Sequence, residues 1–350
     1  MTDPLSALAT QTILVAGCGG FIGSHLVGRL LNAPGCKVLG IDRADSKIAD
    51  CLGHPRFQFV RADSSQERAL EPLVRNCDAV VHLAALCNPG LYNTVPVQVI
   101  ESNFSEALPL LRLCVEHRKR LIFFSTSEVY GRTSARAEVL DEDETPLLLG
   151  PVPAQRWSYA SAKQLLERLI YGYGQDGRLE FTIVRPFNFI GPRMDFIPGV
   201  DGSGVPRVLA SFMAALLQAK PLPLVNGGRQ LRTFTDIEDA VDAILLMLAR
   251  PAAARNQIFN IGNPACEISI RDLALLMTDL FRELAPDRPP VEMSEVASEV
   301  FYGPGYEDSL RRLPGIEKAR RLLGWQPRIG LRESLRRTMA WYLNHYQFSR

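Results

Sequence analysis

Long apolar runs are missing from this 350-residue sequence. Nothing in it approaches the roughly 18 consecutive apolar residues that a membrane-spanning helix needs, so no span is expected. Met1 to Gln11 also lacks the basic stretch followed by an apolar one that marks an export signal. An excess of one charge is absent too: 39 Lys and Arg face 38 Asp and Glu, a formal net charge of +1. That excludes the global basic field that nucleic-acid binding asks for, and the arginine pairs at 311–312 and 336–337 read as solvated faces or carboxylate contacts. Cysteine is scarce, with seven residues scattered from Cys18 to Cys266 and no Cys-x-x-Cys pair. This pattern argues against a disulfide frame or a zinc site and for reduced thiols in a cytoplasmic protein. The five histidines are isolated, so no metal is expected. Core-forming residues are plentiful at 47% hydrophobic, which makes a packed core the default, in one large domain or two.

What is present begins with a turn. Thr12 to Ala16 is an apolar strand, and Gly17-Cys18-Gly19-Gly20-Phe21-Ile22-Gly23 leads it into a helix that starts near Phe21. Glycines 17, 20 and 23 permit a tight turn, close approach of backbone to a pyrophosphate, and close helix–strand packing. The helix N-terminus offers free N–H groups and positive dipole to phosphates. A second strand, Lys37 to Ile41, ends in Asp42 at the spacing of an acid that binds adenosine ribose hydroxyls. This is a dinucleotide fingerprint. Arg43 beside Asp42 could accommodate a 2′-phosphate, but the acid in the fingerprint position favours NAD. Phe57 to Asp63 is a third strand whose Asp63 either approaches the adenine ring or caps the next helix. Asp78 to Ala85 is a fourth, ending after Leu83 in the small residues Ala84 and Ala85, which suit a cofactor passing close to backbone or simple core packing.

The order of later elements follows the same alternation. A helix is expected over Pro96 to His117, and a fifth strand, Leu121 to Phe124, runs into Ser125-Thr126-Ser127-Glu128-Val129-Tyr130-Gly131. Its hydroxyls and carboxylate fall at the carboxyl end of a buried parallel strand, where ligands bind in open α/β sheets. Tyr159-Ala160-Ser161-Ala162-Lys163 then places a phenol and an ammonium one helical turn apart on one face. A nearby cation favours the phenolate, so Lys163 is expected to lower the Tyr159 pKa toward working pH. A sixth strand, Leu179 to Arg185, completes a doubly wound parallel sheet. From Asn188 the texture changes, with loops at Pro192 to Pro206 and Pro286 to Pro314, a helix ending near Lys220, a short strand from Gln257 to Gly262, and helices over Ser269 to Leu284 and Leu331 to Tyr346. The expected architecture is α/β: a Rossmann domain over residues 1–187 and a smaller C-terminal substrate-binding domain over 188–350, with segments free to interleave. The two loops stand where a lid over a pocket would sit.

This order of motifs, from about Thr12 to Tyr342, resembles the extended short-chain dehydrogenase/reductase family, and within it the nucleotide-sugar epimerases, dehydratases and decarboxylases. Arg185 to Arg193 resembles the family's nucleotide-sugar segment, and Arg232-Thr233-Phe234-Thr235-Asp236 its uridine-diphosphate segment. Tyr302 to Asp308, leading to Arg311-Arg312-Leu313-Pro314, resembles the UDP-glucuronate decarboxylases, including the decarboxylase domains of bifunctional polymyxin-resistance proteins. The resemblance implies NAD as cofactor, held by Gly17, Gly20, Phe21, Ile22, Gly23, Asp42, Asp63, Leu83, Ala84, Ala85, Tyr159 and Lys163. It implies Thr126, Ser127, Glu128, Tyr159, Lys163 and Arg312 as the catalytic set, with Thr126, Ser127, Tyr92, Arg156, Asn188, Arg207, Arg232 and Tyr306 touching a UDP-sugar. Arg207 and Arg232 suit a diphosphate because a guanidinium donates two hydrogen bonds to it.

In such an enzyme Tyr159 takes the proton of a sugar hydroxyl as its carbon yields hydride, and oxidation at C4 beside a C5 carboxylate makes a β-keto acid that loses carbon dioxide. Ser127 stands where the family's 4,6-dehydratases carry Asp, which disfavours dehydration, whereas the decarboxylases carry Thr-Ser-Glu. Arg312, almost always protonated, suits a carboxylate anchor better than an acid. Arg311, Leu313, Pro304 and the loop Met194 to Val205 depart from the relatives' pattern and leave the preferred sugar open. The resemblance further implies a homodimer through the helices near 96–117 and 159–173, a stand-alone decarboxylase, and release of a 4-keto-pentose with NADH, UDP-xylose being a second product. The competing readings are a 4-epimerase or 4-reductase without carbon dioxide loss, and an inactive NAD-sensing binding protein, against which the intact Thr126, Tyr159 and Lys163 speak.

Overall fold

The computed structural model describes residues 4–132, 139–202, 204–302 and 307–346. The first half alternates as the sequence predicts: β1 (Thr12–Ala16), α1 (Phe21–Leu31), β2 (Lys37–Asp42), β3 (Phe57–Arg61), α2 (Glu67–Arg75), β4 (Ala79–His82), α3 (Pro96–Asn103), α4 (Leu108–Glu116), β5 (Arg120–Phe124), α5 (Ser158–Gln175) and β6 (Phe181–Pro186). Then follow β7 (Phe189–Ile190), α6 (Val208–Leu217), β8 (Leu222–Val225), β9 (Leu231–Thr233), β10 (Thr235–Asp236), α7 (Ile237–Ala249), α8 (Pro251–Ala254) and β11 (Gln257–Ile261). The chain ends with β12 (Glu267–Ser269), α9 (Ile270–Leu284), β13 (Met293–Val296), α10 (Ser298–Tyr302), β14 (Arg311–Arg312), α11 (Glu317–Leu323) and α12 (Leu331–His345). No described helix is long and apolar enough to cross a membrane.

Seven strands form one parallel sheet in the order β11-β6-β5-β4-β1-β2-β3. Successive strand residues point to opposite faces, and β1 divides accordingly. Ile13 and Val15 pack with Leu26 and Leu30 of α1 and Ile244 and Leu248 of α7. Leu14 and Ala16 pack with Leu70 of α2, Leu110 of α4 and Leu166 of α5. Both faces are covered, as a sheet of continuous apolar runs requires. A separate apolar cluster joins α6, α9 and α12 through Phe212, Met277 and Met339. Phe21, at the start of α1, packs against this cluster and the sheet's core. The chain order reverses between β1 and β4, so a crevice opens beyond their carboxyl ends.

Three expectations change. The helix over 96–117 is two helices, separated by Phe104 and a 3-10 turn at Ser105–Ala107. Pro109, in the first turn of α4, has no N–H with which to continue a helix from residue 105. The sheet, expected to be complete with its sixth strand, takes a seventh, β11, from beyond residue 187, an interleaving for which the division at 187/188 leaves room. The segment from 286 to 314 is not simply loop, because β13 pairs with β8 and β14 with β9.

Candidate active site

The fingerprint turn is built by contact with its neighbours. A Cβ on Gly17, whose φ is +89°, would lie 2.7 Å from the Ala84 nitrogen, and one on Gly23 would lie 2.2 Å from the Gly17 oxygen. Gly19, which sequence reasoning passed over, is the tightest of the turn: its Cβ would meet the Ala44 oxygen at 1.9 Å, whereas one on Gly20 meets only the Gly17 oxygen at 3.3 Å. Asp42 at the end of β2 accepts hydrogen bonds from the Gly19 N–H (2.9 Å) and the Ala44 N–H (3.0 Å), which fixes its carboxylate beside the turn. Asp63 does not cap α2. It accepts from the Ser65 N–H at 2.9 Å and pairs with Arg43 at 3.5 Å. Gly17, Gly20, Phe21, Ile22, Gly23, Leu83 and Ala85 wall one end of a cavity of about 370 Å³. Ala84 lies behind them, against Gly17.

The same cavity continues over Thr126, Ser127, Glu128, Arg156, Tyr159, Asn188, Arg207, Arg232 and Arg312. Thr126 caps the 3-10 turn Ser127–Tyr130 by accepting from the Glu128 N–H at 3.1 Å. Tyr159 sits in the first turn of α5, with its ring stacked on Tyr92 at 5.1 Å between centroids. The Arg156 guanidinium lies 5.3 Å from the same Tyr92 ring. Tyr92 is fully buried and serves as a platform between Tyr159 and Arg156, not as part of the cavity wall. Its hydroxyl donates to the Cys87 sulfur at 3.7 Å. Cys87 lines the cavity two residues past Ala85, where the strand reading had stopped.

The expected tuning of Tyr159 differs in its causes. Burial pushes the phenol well above its ordinary value, the Cys87 thiol and Glu128 add to that, and a hydrogen bond with Thr126 opposes them. Burial also acts on Lys163, lowering it to about 8, while Cys87 and Glu167 pull it back up. The Lys163 ammonium donates to the Phe124 carbonyl at 3.0 Å, which ties α5 to β5 beneath the cavity.

Beyond Tyr159 the cavity wall is ionic. Glu128 pairs with Arg156 at 2.7 Å and with Arg312 at 3.6 Å. Burial alone would raise its carboxyl, but the Arg156 and Arg312 charges override it and hold the pKa below the ordinary value. Arg312 is buried, and its Nε has no hydrogen-bond partner among the described residues. Its backbone is fixed by pairing of β14 with β9 and by the Thr233 hydroxyl, which donates to the Arg312 carbonyl at 3.0 Å. Arg232 donates to Asp308 at 2.5 Å and to the carbonyls of Leu231 and Ser309. Arg207 is gripped by Asp195, with Nε 3.0 Å from its carboxylate. Asn188, at φ +39°, donates to the Thr233 carbonyl at 2.9 Å. Tyr306 lies outside the described residues.

A profile of the NAD dependent epimerase/dehydratase family matches residues 13–262. The chain belongs to that family. It is 46% identical to the UDP-D-apiose/UDP-D-xylose synthase of Oryza sativa subsp. japonica, over 97% of this chain and 91% of the relative. Among solved structures, the PbgP3 protein of Burkholderia pseudomallei is 34% identical with a TM-score of 0.85, covering 96% of this chain and 97% of its own. A UDP-glucuronic acid 4-epimerase of Bacillus cereus, solved with UDP-glucuronic acid and NAD, is 26% identical with a TM-score of 0.79, over 96% of this chain and 100% of its own. The family's cofactor is NAD. The residues here fit it: three glycines whose Cβ atoms would collide with backbone leave room for a pyrophosphate, and the carboxylate of Asp42, fixed beside the turn, would suit a ribose and repel a 2′-phosphate.

Proposed function

We propose that the protein decarboxylates UDP-glucuronate after oxidising it at C4, and that its products are UDP-pentoses. The observation that carries this reading is the Glu128–Arg156–Arg312 group, its two arginines buried, in the same cavity as Tyr159. Arg312 offers an acid a buried Nε that has no partner among the described residues, a feature that a neutral hexose would not need. The turn at glycines 17 to 23 would hold NAD, which would supply the acceptor for the C4 hydride. Thr126 holds the C4 hydroxyl, Tyr159 removes its proton, and Lys163 supplies the charge that favours the phenolate. In the resulting β-keto acid the C5–C6 bond breaks, its electron pair passes toward the C4 oxygen, and carbon dioxide leaves. Tyr159 and Thr126 then face the developing enolate oxygen, while Glu128, with a water held by Arg312, handles the proton that C5 takes up. Asp42, with the turn at glycines 17 to 23, holds the adenosine and pyrophosphate, and Asn188 and Arg207 line the side left for the UDP-sugar.

Glucuronate less carbon dioxide has the composition of a pentose, so xylose and apiose both lie at the oxidation level at which the hydride has returned to the sugar. The synthase at 46% identity therefore favours recycling of the cofactor over the NADH release implied by the decarboxylase resemblance. The exposed side chains of Val97 and Ile100 on α3 and Leu165 and Tyr171 on α5 support a homodimer through these packed helices. Leu110, Leu111 and Leu166 belong to the protein's own core. The seven free cysteines support a cytoplasmic setting. Incubation with UDP-glucuronate and NAD, with carbon dioxide trapped and products identified by NMR, tests the activity. Carbon dioxide with UDP-pentose, and reduced nicotinamide not exceeding one equivalent per site, is the expected result. UDP-galacturonate without carbon dioxide would replace this reading with a 4-epimerase.

A further inference from the structure

Asp308 closes the segment from residue 302, in which the resemblance assigns no role to this position, yet three arginines converge on it. Its carboxylate accepts from Arg232 at 2.5 Å and Arg312 at 3.0 Å, and lies 3.8 Å from Arg156. The Ser309 N–H donates to it at 2.9 Å, and Asp308 itself lines the cavity. Burial would raise its carboxyl, but the arginines, Arg232 first, hold it below the ordinary value. Glu128 sits on the other side of Arg156 and Arg312. Among the described residues, three guanidiniums thus face two carboxylates, a surplus of one positive charge at the place where the proposed function puts the substrate's acid.

We propose that Asp308 is a positioning residue that limits the carboxylate subsite to this single surplus charge, so that the acid is captured without being held against its departure as carbon dioxide. The inference rests on the decarboxylase reading. Breaking the C5–C6 bond moves negative charge from the carboxylate to the C4 oxygen. A cation that grips the carboxylate stabilises the starting state more than the transition state, and binding of that kind lowers KM without raising kcat. Two surplus charges would bind UDP-glucuronate tightly and retain it. With Asp308 present the site is neutral once the acid is in place, and Arg232 and Arg312 are fixed in orientation.

The test compares Asp308→Asn, Asp308→Glu and the double variant Asp308→Asn/Arg232→Gln. The double variant restores the charge count with two arginines and one carboxylate. Calorimetry with NADH bound, which blocks turnover, gives the preference of each protein for UDP-glucuronate over UDP-glucose. Asp308→Asn should raise that preference by on the order of tenfold, and the double variant and Asp308→Glu should return it toward the wild-type value. In a single turnover with NAD, Asp308→Asn should reduce nicotinamide at close to the normal rate but release carbon dioxide more slowly, with KM and kcat falling together. Equal weakening toward both sugars, or a preference left unrestored in the double variant, would reduce Asp308 to a scaffold contact and overturn the proposal. Should Asp308→Asn not fold, Arg232→Gln alone brings the subsite to zero surplus and must lower the preference; an unchanged preference there also overturns it. If the wild type releases no carbon dioxide, the decarboxylase reading fails by itself, and the calorimetry still decides what Asp308 does.

Discussion

At the scale of the residue, burial weighs more on Tyr159 and Lys163 than the charge that their spacing brings together. Burial dominates both, raising the phenol and lowering the ammonium to about 8. Lys163 is charged below that value and neutral above it, so its support for a phenolate is lost as pH rises through about 8. Activity should therefore decline on the alkaline side, and Lys163→Ala should be weak at every pH and lack that decline; a variant retaining the same alkaline limb would assign it to another group. Tyr159→Phe keeps the stack on Tyr92 while deleting the proposed acid–base hydroxyl, so turnover should fall roughly 100-fold or more with NAD affinity unchanged. Near-normal hydride transfer would remove Tyr159 from the mechanism. Thr126, Glu128, Tyr159 and Arg312 were legible because each lies in a contiguous motif. Cys87 and Asp195 lie in no such motif, and the part Asp308 plays arises from partners distant in sequence: it meets Arg156 and Arg232 across 152 and 76 positions. Tyr92, expected to touch the sugar, is instead buried, and its ring forms the floor under Tyr159.

At the scale of the element, the parallel strands were readable because both faces of the sheet are buried, which writes each strand as an apolar run such as Leu121 to Phe124. β14 carries no such signature. It is two arginines, and it is a strand only because β9 pairs with it and the Leu140 N–H donates to the Leu313 carbonyl at 2.8 Å. The break between α3 and α4 was written in Pro109 but masked by the apolar spacing on either side. The fingerprint turn offers the sharper experiment, because its glycines differ in what surrounds them. Gly19→Ala drives a Cβ into the Ala44 carbonyl and so displaces the loop that presents Asp42, whereas Gly20→Ala asks for only a small shift. NAD affinity should fall by at least roughly tenfold in Gly19→Ala and much less in Gly20→Ala, since only the first disturbs both the pyrophosphate turn and the ribose acceptor. Calorimetric titration of the two variants checks this, and equal losses would mean that the crowding at Ala44 does not matter to the cofactor.

At the scale of the whole molecule, stability should depend on pH through histidines that the chemistry does not use. His82 ends β4 with neither ring nitrogen hydrogen-bonded among the described residues, and burial, with a smaller push from Lys163, lowers it to about 3. His25, bonded through Nε2 to the Pro192 carbonyl at 2.8 Å, is lowered by burial to about 4. Their ordinary value is 6.5, so between that pH and about 4 the unfolded chain binds protons that the native protein refuses. The stability this confers is complete above pH 6.5 and drains away as pH falls. From pH 7 to pH 5 the loss is about 2 kcal/mol for His82 and somewhat less for the partly exposed His25. Glu128 and Asp308 stay ionised through this window, because the arginines keep both below the ordinary carboxylate range. Glu142 and Asp239, raised by burial, take up protons in the native state first and offset a part of the loss. Against a total stability of about 5–15 kcal/mol, the urea midpoint should fall visibly between pH 7 and pH 5. His82→Leu fills the same apolar site against Phe123 without a titrating ring, so it should recover close to half of that fall. A midpoint that drops as far in His82→Leu as in the wild type would show that the buried imidazole is not what makes the fold acid-sensitive.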